Sequence, residues 1–269
     1  LVAISNTRGA FARRLPHSVL LFEVETGRLR KTFANGLASA YGPLGFAENG
    51  TRLVTSSLQW RPVGRRGSQP GVVSGAALWN TENGELLREF PDGADAVVSG
   101  DGRWIATACL TSGWSDRLPP NADTSSVTIW DARTGEPVQT LKHEEYLRDF
   151  AFAPDSKRIL VAAQIRTQQG QSTGLEGRIV EWGWQSARKL FVEDSAKRFA
   201  RVLYSPEGRR RFALTEEVNQ LDDSEYRFRG WDVKSGAELP IGDYRVFTNL
   251  VSEVFFFPEA DRFIRLWPD

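Results

Sequence analysis

A short phrase returns along this chain about every 52 residues, and that periodicity limits the fold more than any other feature. It is a polar turn behind a hydrophobic stretch: Phe46-Ala-Glu-Asn-Gly50, Val98-Ser-Gly-Asp-Gly102, Phe152-Ala-Pro-Asp-Ser156, Tyr204-Ser-Pro-Glu-Gly208 and Phe256-Phe-Pro-Glu-Ala260. The last residues of these turns stand 52, 54, 52 and 52 apart. So regular a period means a series of similar supersecondary units, each leaning on its neighbours. It also makes architecture more legible than activity, because repeat folds serve unrelated tasks.

A second phrase interleaves with the first: an apolar strand, often carrying Trp, then a turn closed by Gly. It reads Val19–Gly27, Ala77–Gly84, Val127–Gly135 and Gly230–Gly236, with a degenerate copy at Ile179–Ala187. The closing glycines accept the positive φ that tight hairpins need. A further strand follows each: Leu29–Phe33, Leu86–Phe90, Pro137–Leu141, Lys189–Val192 and Glu238–Ile241. Each period therefore holds four short strands, a to d. Strand a precedes the polar turn, as in Asp149–Ala153 and Val202–Ser205. Strand b follows it: Arg52–Ser56, Arg103–Cys109, Arg158–Ala163, Arg211–Thr215 and Arg262–Trp267. Strand c carries the Trp. No segment shows the 3.6-residue period of a helix.

Four antiparallel strands with Trp-Asp in the third match a β-propeller blade. Val127-Thr-Ile-Trp-Asp-Ala-Arg-Thr-Gly135, followed by Thr140-Leu-Lys-His143 and Phe152-Ala-Pro-Asp155, resembles a blade of the WD-repeat family, in a divergent, bacterial-looking form with long b–c connections. The resemblance runs over the whole chain in five copies. It implies an all-β propeller of four-stranded antiparallel blades, with strand a inside and strand d on the rim. The period exceeds the family's 40–45 residues. The family's Gly-His pair between d and a is mostly absent, with only His143 in its place, so its buried His–Ser/Thr–Asp–Trp network is not expected to be intact.

The extra length lies in the b–c connections: Asn6–His17, Ser57–Gly75, Leu110–Ser126, Ile165–Gly177 and Glu216–Arg227. In a four-stranded meander these all leave from one end of the blades. They are expected to be long loops crowding one face, and loops on a rigid scaffold carry function. The chain starts and stops on b-type strands, Leu1–Ser5 and Arg262–Trp267. Residues 1–269 read as one domain with about five to six blades and incomplete first and last ones, part of a six- or seven-bladed ring not closed through a shared blade. With no Met anywhere, the chain reads as a piece of something longer.

Composition excludes several classes. Lys plus Arg and Asp plus Glu are 34 each, so neither nucleic acid nor an anionic membrane is expected as partner. Of the basic residues 28 are Arg, which a GC-rich coding sequence explains. One cysteine, Cys109, in an apolar run, rules out an internal disulfide framework. No run of about 18 apolar residues is present, so no membrane span is expected; the chain reads as soluble, its compartment open.

Catalytic signals are weak. Two His and one Cys, without metal-ligand spacing, argue against zinc, and no cofactor is expected. Asp222-Asp223-Ser224-Glu225 lacks the alternating ligands of a calcium loop. His143 stands where the resemblance implies a structural His; His17 lacks a nucleophile motif. Gly170–Gly174 lacks the Lys of a phosphate loop. The periodic Trp79, Trp130, Trp182 and Trp231 read as core between blades. Trp60, Trp114 and Trp184 break the period. The expected role is a non-catalytic interaction scaffold for a protein or peptide, using Arg13, Arg14, Trp60, Arg61, Arg65, Arg66, Trp114 and Arg117 on the b–c face. Arg209–Arg211, at an a–b turn, reads as surface on the opposite face. The alternatives are an enzyme with its site at the channel mouth on the same face, and a sensor module of a larger protein.

Overall fold

The computed structural model describes residues 2–6, 18–34, 45–62, 70–90, 95–108, 125–169, 172–218, 224–241, 245–247, 253–257 and 262–266. β1 (Val2–Asn6), β2 (Ser18–Phe22) and β3 (Leu29–Ala34) make a three-stranded sheet. Four four-stranded sheets follow. The second is β4 (Gly45–Ala47), β5 (Arg52–Pro62), β6 (Pro70–Asn80) and β7 (Leu86–Phe90). The third is β8 (Asp95–Val98), β9 (Trp104–Ala108), β10 (Ser125–Asp131) and β11 (Pro137–His143). The fourth is β12 (Tyr146–Phe152), β13 (Arg158–Gln169), β14 (Ser172–Gly183) and β15 (Arg188–Ser195). The fifth is β16 (Arg198–Tyr204), β17 (Arg210–Val218), β18 (Ser224–Asp232) and β19 (Arg245–Phe247). β20 (Glu253–Phe257) and β21 (Arg262–Leu266) pair as a hairpin. Within each sheet the strands lie in chain order, as the a–d reading expects. Among the described residues there is no α-helix. The described pairings place residues 2–6 and 262–266 in different sheets.

Two turns recur from sheet to sheet among the described residues. At the a–b turn Gly50, Gly102 and Gly208 take positive φ, and Ser156 takes it in the fourth sheet at 58°. At the c–d turn Gly27, Gly84, Gly135 and Gly236 do the same, with Ala187 at 50° in their place. The Asp of Trp-Asp builds this second turn: Asp131 Oδ1 accepts from Arg133 N and Thr134 N, both at 2.9 Å. Burial works against the charge on Asp131, but those backbone donors outweigh it and hold its carboxyl below the usual range.

The described chain forms two compact units, residues 1–110 with 126–142, and residues 111–125 with 143–269. In each, the core fills the space between sheet faces. Leu21, Phe33, Leu53 and Trp79 pack between the first and second sheets. Val54, Leu78, Phe90 and Ile105 pack between the second and third. Leu160, Ile179, Phe199 and Trp231 pack between the fourth and fifth. With both faces covered, the b strands are apolar without alternation, and Ile159 through Ala163 are fully buried.

The periodic tryptophans behave nearly as expected. Trp79, Trp182 and Trp231 are buried. Trp130 is only half-buried, with the Arg88 guanidinium stacked over its ring at 4.8 Å. Each meets an aromatic ring from the preceding d strand: Phe33 on Trp79, Phe90 on Trp130, His143 on Trp182 and Phe191 on Trp231. Trp184, off the period, is also buried and donates to Ser156 O at 2.8 Å.

Two expectations need correction. The strand expected at Glu238–Ile241 makes a single bridge, Trp231 to Glu238; Pro240 has no N–H to continue the ladder, and pairing resumes at β19. The b–c connections are not simply loops. β5 and β6 pair from Arg52↔Asn80 out to Pro62↔Pro70. β13 and β14 pair from Arg158↔Gly183 to Gln169↔Ser172, and β17 and β18 from Arg210↔Asp232 to Val218↔Ser224. The connections Asn6–His17 and Leu110–Ser126, and Cys109, lie almost wholly outside the described residues.

Candidate interaction surface

The long b–c hairpins outrun the strands that flank them. Among the described residues β4 pairs no further than Val54 and β7 no further than Ala76, while Ser57–Pro62 and Pro70–Gly75 go on pairing with each other as a two-stranded ribbon. β12 reaches Gln164 and β15 reaches Gly177, so Ile165–Gln169 and Ser172–Glu176 do likewise. We call these ribbons arms. In the fifth sheet β16 accompanies β17 to Glu216, and β19 covers Glu225–Arg227, leaving a shorter arm.

The arms of the fourth and fifth sheets leave from the same end. Gly177, at the base of the first, sits against the start of β16: a Cβ there would collide with Lys197 O and stand 2.6 Å from Phe199 Cδ2. Arg198, beside them, pairs with Glu216 at the base of the second arm.

Of the expected contacts, Trp60 and Arg61 lie in the arm of the second sheet, with Trp60 opposite Val72 and Arg61 opposite Gly71. Neighbours along a strand belong to opposite faces. Leu58, Trp60 and Val72 therefore share one face, and Gln59, Arg61 and Val73 the other. Arg13, Arg14, Arg65, Arg66, Trp114 and Arg117 lie outside the described residues.

Charge at the base of the fourth-sheet arm is tightly paired. Arg178 donates to Glu145 at 2.6 Å and grips Asp194 at 2.6 and 2.9 Å. The Asp194 hydrogen bond raises the Arg178 pKa further, and Asp194 is lowered in turn. Behind them His143 is 3% exposed, with Nδ1 3.7 Å from Glu145. Burial pushes the His143 pKa down to about 4, although Glu145 pulls the other way. Among the described residues its Nε2 has no partner, and neither does Trp182 Nε1 beside it. The second and third sheets answer that need with a hydroxyl: Trp79 Nε1 donates to Thr55 at 3.0 Å and Trp130 Nε1 to Thr107 at 2.8 Å. Thr55 and Thr107 stand two residues beyond the partner of each Trp. In the fourth sheet that register position is Val161. The Trp–hydroxyl part of the network is thus present in two sheets where sequence reasoning expected it lost.

The tight-turn end departs from expectation. Arg211 is 1% exposed, not surface. It donates to Glu181, which also accepts from Tyr204 Oη at 2.6 Å and Arg158 Nη1 at 3.1 Å. The Arg211 guanidinium lies over Phe191, 3.4 Å from the ring centre. Burial lowers the Arg211 pKa and pushes the Tyr204 hydroxyl well above its usual value. Arg209 is exposed as expected. This cluster holds the fourth sheet to the fifth, and its charges are spent on one another. Glu181 was missed because a Glu beside Trp182 carries no signal of its remote partners. Among the described residues no three His, Cys, Asp or Glu side chains are grouped to hold a metal ion. No helix among them is long and apolar enough to cross a membrane.

No protein-family model matches the chain. A stretch of 91 residues, 34% of this chain, is 26% identical to eukaryotic translation initiation factor 3 subunit I of Caenorhabditis elegans, of which it covers 25%. The match thus spans a quarter of that relative's length. Kuenenia stuttgartiensis hydrazine synthase superposes with a TM-score of 0.58 at 17% identity, over 94% of this chain and 78% of that one. The tricorn protease gives 0.56 at 11% identity, over 90% and 25%; the Pyrococcus horikoshii acylaminoacyl peptidase gives 0.55 at 11%, over 75% and 32%. These likenesses show the fold alone. They define an all-β, propeller-like protein. The distant sequence relative fits a propeller family.

Proposed function

We propose that the chain is a WD-repeat-like propeller domain, a single array over residues 1–269 within a six- or seven-bladed ring, that acts as a non-catalytic scaffold for a protein or peptide partner. The observation that carries this reading is the set of b–c arms standing beyond their sheets, two of them leaving from one end of adjacent sheets. A ribbon raised from a rigid sheet presents residues to a partner at small entropic cost. The contacts proposed are Trp60 and Arg61 on the second-sheet arm, with Arg13, Arg14, Arg65, Arg66, Trp114 and Arg117 on the other b–c connections. An aromatic ring among arginines suits an acidic, partly apolar segment.

The test shortens one arm. Replacing residues 58–74 by Asn-Gly leaves the flanked part of β5 and β6 intact. Proteins retained by the immobilised wild-type chain should be lost from this variant, while Arg209→Ala, at an a–b turn, should retain them. Binding that survives arm removal and vanishes with Arg209→Ala would reject this surface.

A further inference from the structure

Strand edges left open invite another strand, and proteins guard them with charge or proline. The second-sheet arm is guarded by Arg61, Pro62 and Pro70. The fifth-sheet arm is guarded by Glu216, Glu217 and Glu225, and β19 covers part of it. The fourth-sheet arm differs. From Thr167 to Thr173 it holds only Thr, Gln, Gly and Ser. Arg166 marks the β13 side, but Ser172–Leu175 on β14 has neither charge nor proline. Among the described residues no strand pairs with that stretch on the side where β15 ended at Ser195↔Gly177.

We propose that the Ser172–Leu175 edge of β14 is a self-association surface, where the same edge of a second copy of this chain adds antiparallel and joins the two fourth sheets into one. An antiparallel edge is self-complementary about a two-fold axis, since its N–H and C=O groups alternate. Charge selects this arm for a second copy. Pairing the second-sheet arm with itself brings Arg61 toward Arg61, and in the fifth sheet β19 already covers Glu225–Arg227, so the edge left past β16 brings Glu217 toward Glu217; like charges across a ladder are unfavourable. With Ser172–Leu175 paired to itself, the charged Glu176 falls at the ends of the new ladder. Gly174 in its middle lets the two backbones approach.

The test is the mass of the full chain in solution, by size exclusion with light scattering over a range of concentrations. The wild-type chain should pass from monomer to dimer mass as concentration rises. Thr173→Lys, which places a guarding charge on the edge, should weaken association by roughly tenfold or more, with circular dichroism and melting temperature unchanged. Should that variant misfold, hydrogen exchange on the unmodified chain decides: the amides of 172–175 should become more protected as concentration rises. A chain monomeric throughout, a dimer indifferent to Thr173→Lys, or exchange independent of concentration overturns the proposal. So does an edge protected only on addition of a foreign strand.

Discussion

Arg211 on β17 donates to Glu181 on β14, so a buried ion pair joins the fourth sheet to the fifth, with side chains 1% and 3% exposed. Removing Glu181 leaves the Arg211 guanidinium charged and buried without its carboxylate. Glu181→Gln should cost about 3–5 kcal/mol in chemical denaturation. The double variant Glu181→Leu with Arg211→Met should cost less than the two single changes added together. A Glu181→Gln protein as stable as wild type would show that the pair is not desolvated.

Val161 stands where two other sheets place a threonine that accepts from the tryptophan indole. Val161→Thr should satisfy Trp182 Nε1 and raise stability by about 1 kcal/mol. Thr107→Val should lower it by about 1–3 kcal/mol, because it orphans the Trp130 donor. Paired thermal melts read both signs; a destabilised Val161→Thr would mean the hydroxyl finds no partner there.

Acid should weaken the fold through His143. Its folded pKa is about 4 against an ordinary 6.5, so between those values the unfolded chain binds more protons. Stability is therefore full above pH 6.5 and falls as pH drops toward about 4, by on the order of 2–3 kcal/mol from this group. Glu145 and Asp194, both lowered, add losses further into acid, while Asp149, raised by burial, acts in the opposite direction. His143→Phe, which copies the rings facing the other three tryptophans, should flatten the slope between pH 6.5 and 4. Denaturant titrations across that range check it, and an unchanged slope would assign the acid response elsewhere.

Gly177→Ala should loosen the seam at the base of the fourth-sheet arm, since the added methyl meets Lys197 O, a backbone atom that cannot swing aside. A cost of about 1–3 kcal/mol is expected. Gly75, near the base of the second-sheet arm, has open space for a Cβ, so Gly75→Ala is the control. Equal melting temperatures for the two variants would place the close approach in doubt.

Among the described residues the order of strands, both recurring turns and the burial of the periodic Trp79, Trp182 and Trp231 were legible in the sequence. Each depends on local chemistry that recurs with the period: Gly at a positive φ, Asp131 accepting from its own turn, an apolar run long enough for one strand. The arms were not legible. Thr167, Gln168 and Gln169 suit a solvated loop as well as a ribbon, and only pairing with Ser172–Gly174 makes them strand. Arg211 likewise reads as one more arginine after Arg209 and Arg210. Its burial was decided by Glu181, 30 residues away in sequence, and by the Phe191 ring beneath it. Local turns follow from the residues within them, whereas a buried charge or an extended ladder exists only when distant partners are present to satisfy its polar groups, and tertiary structure alone supplies those.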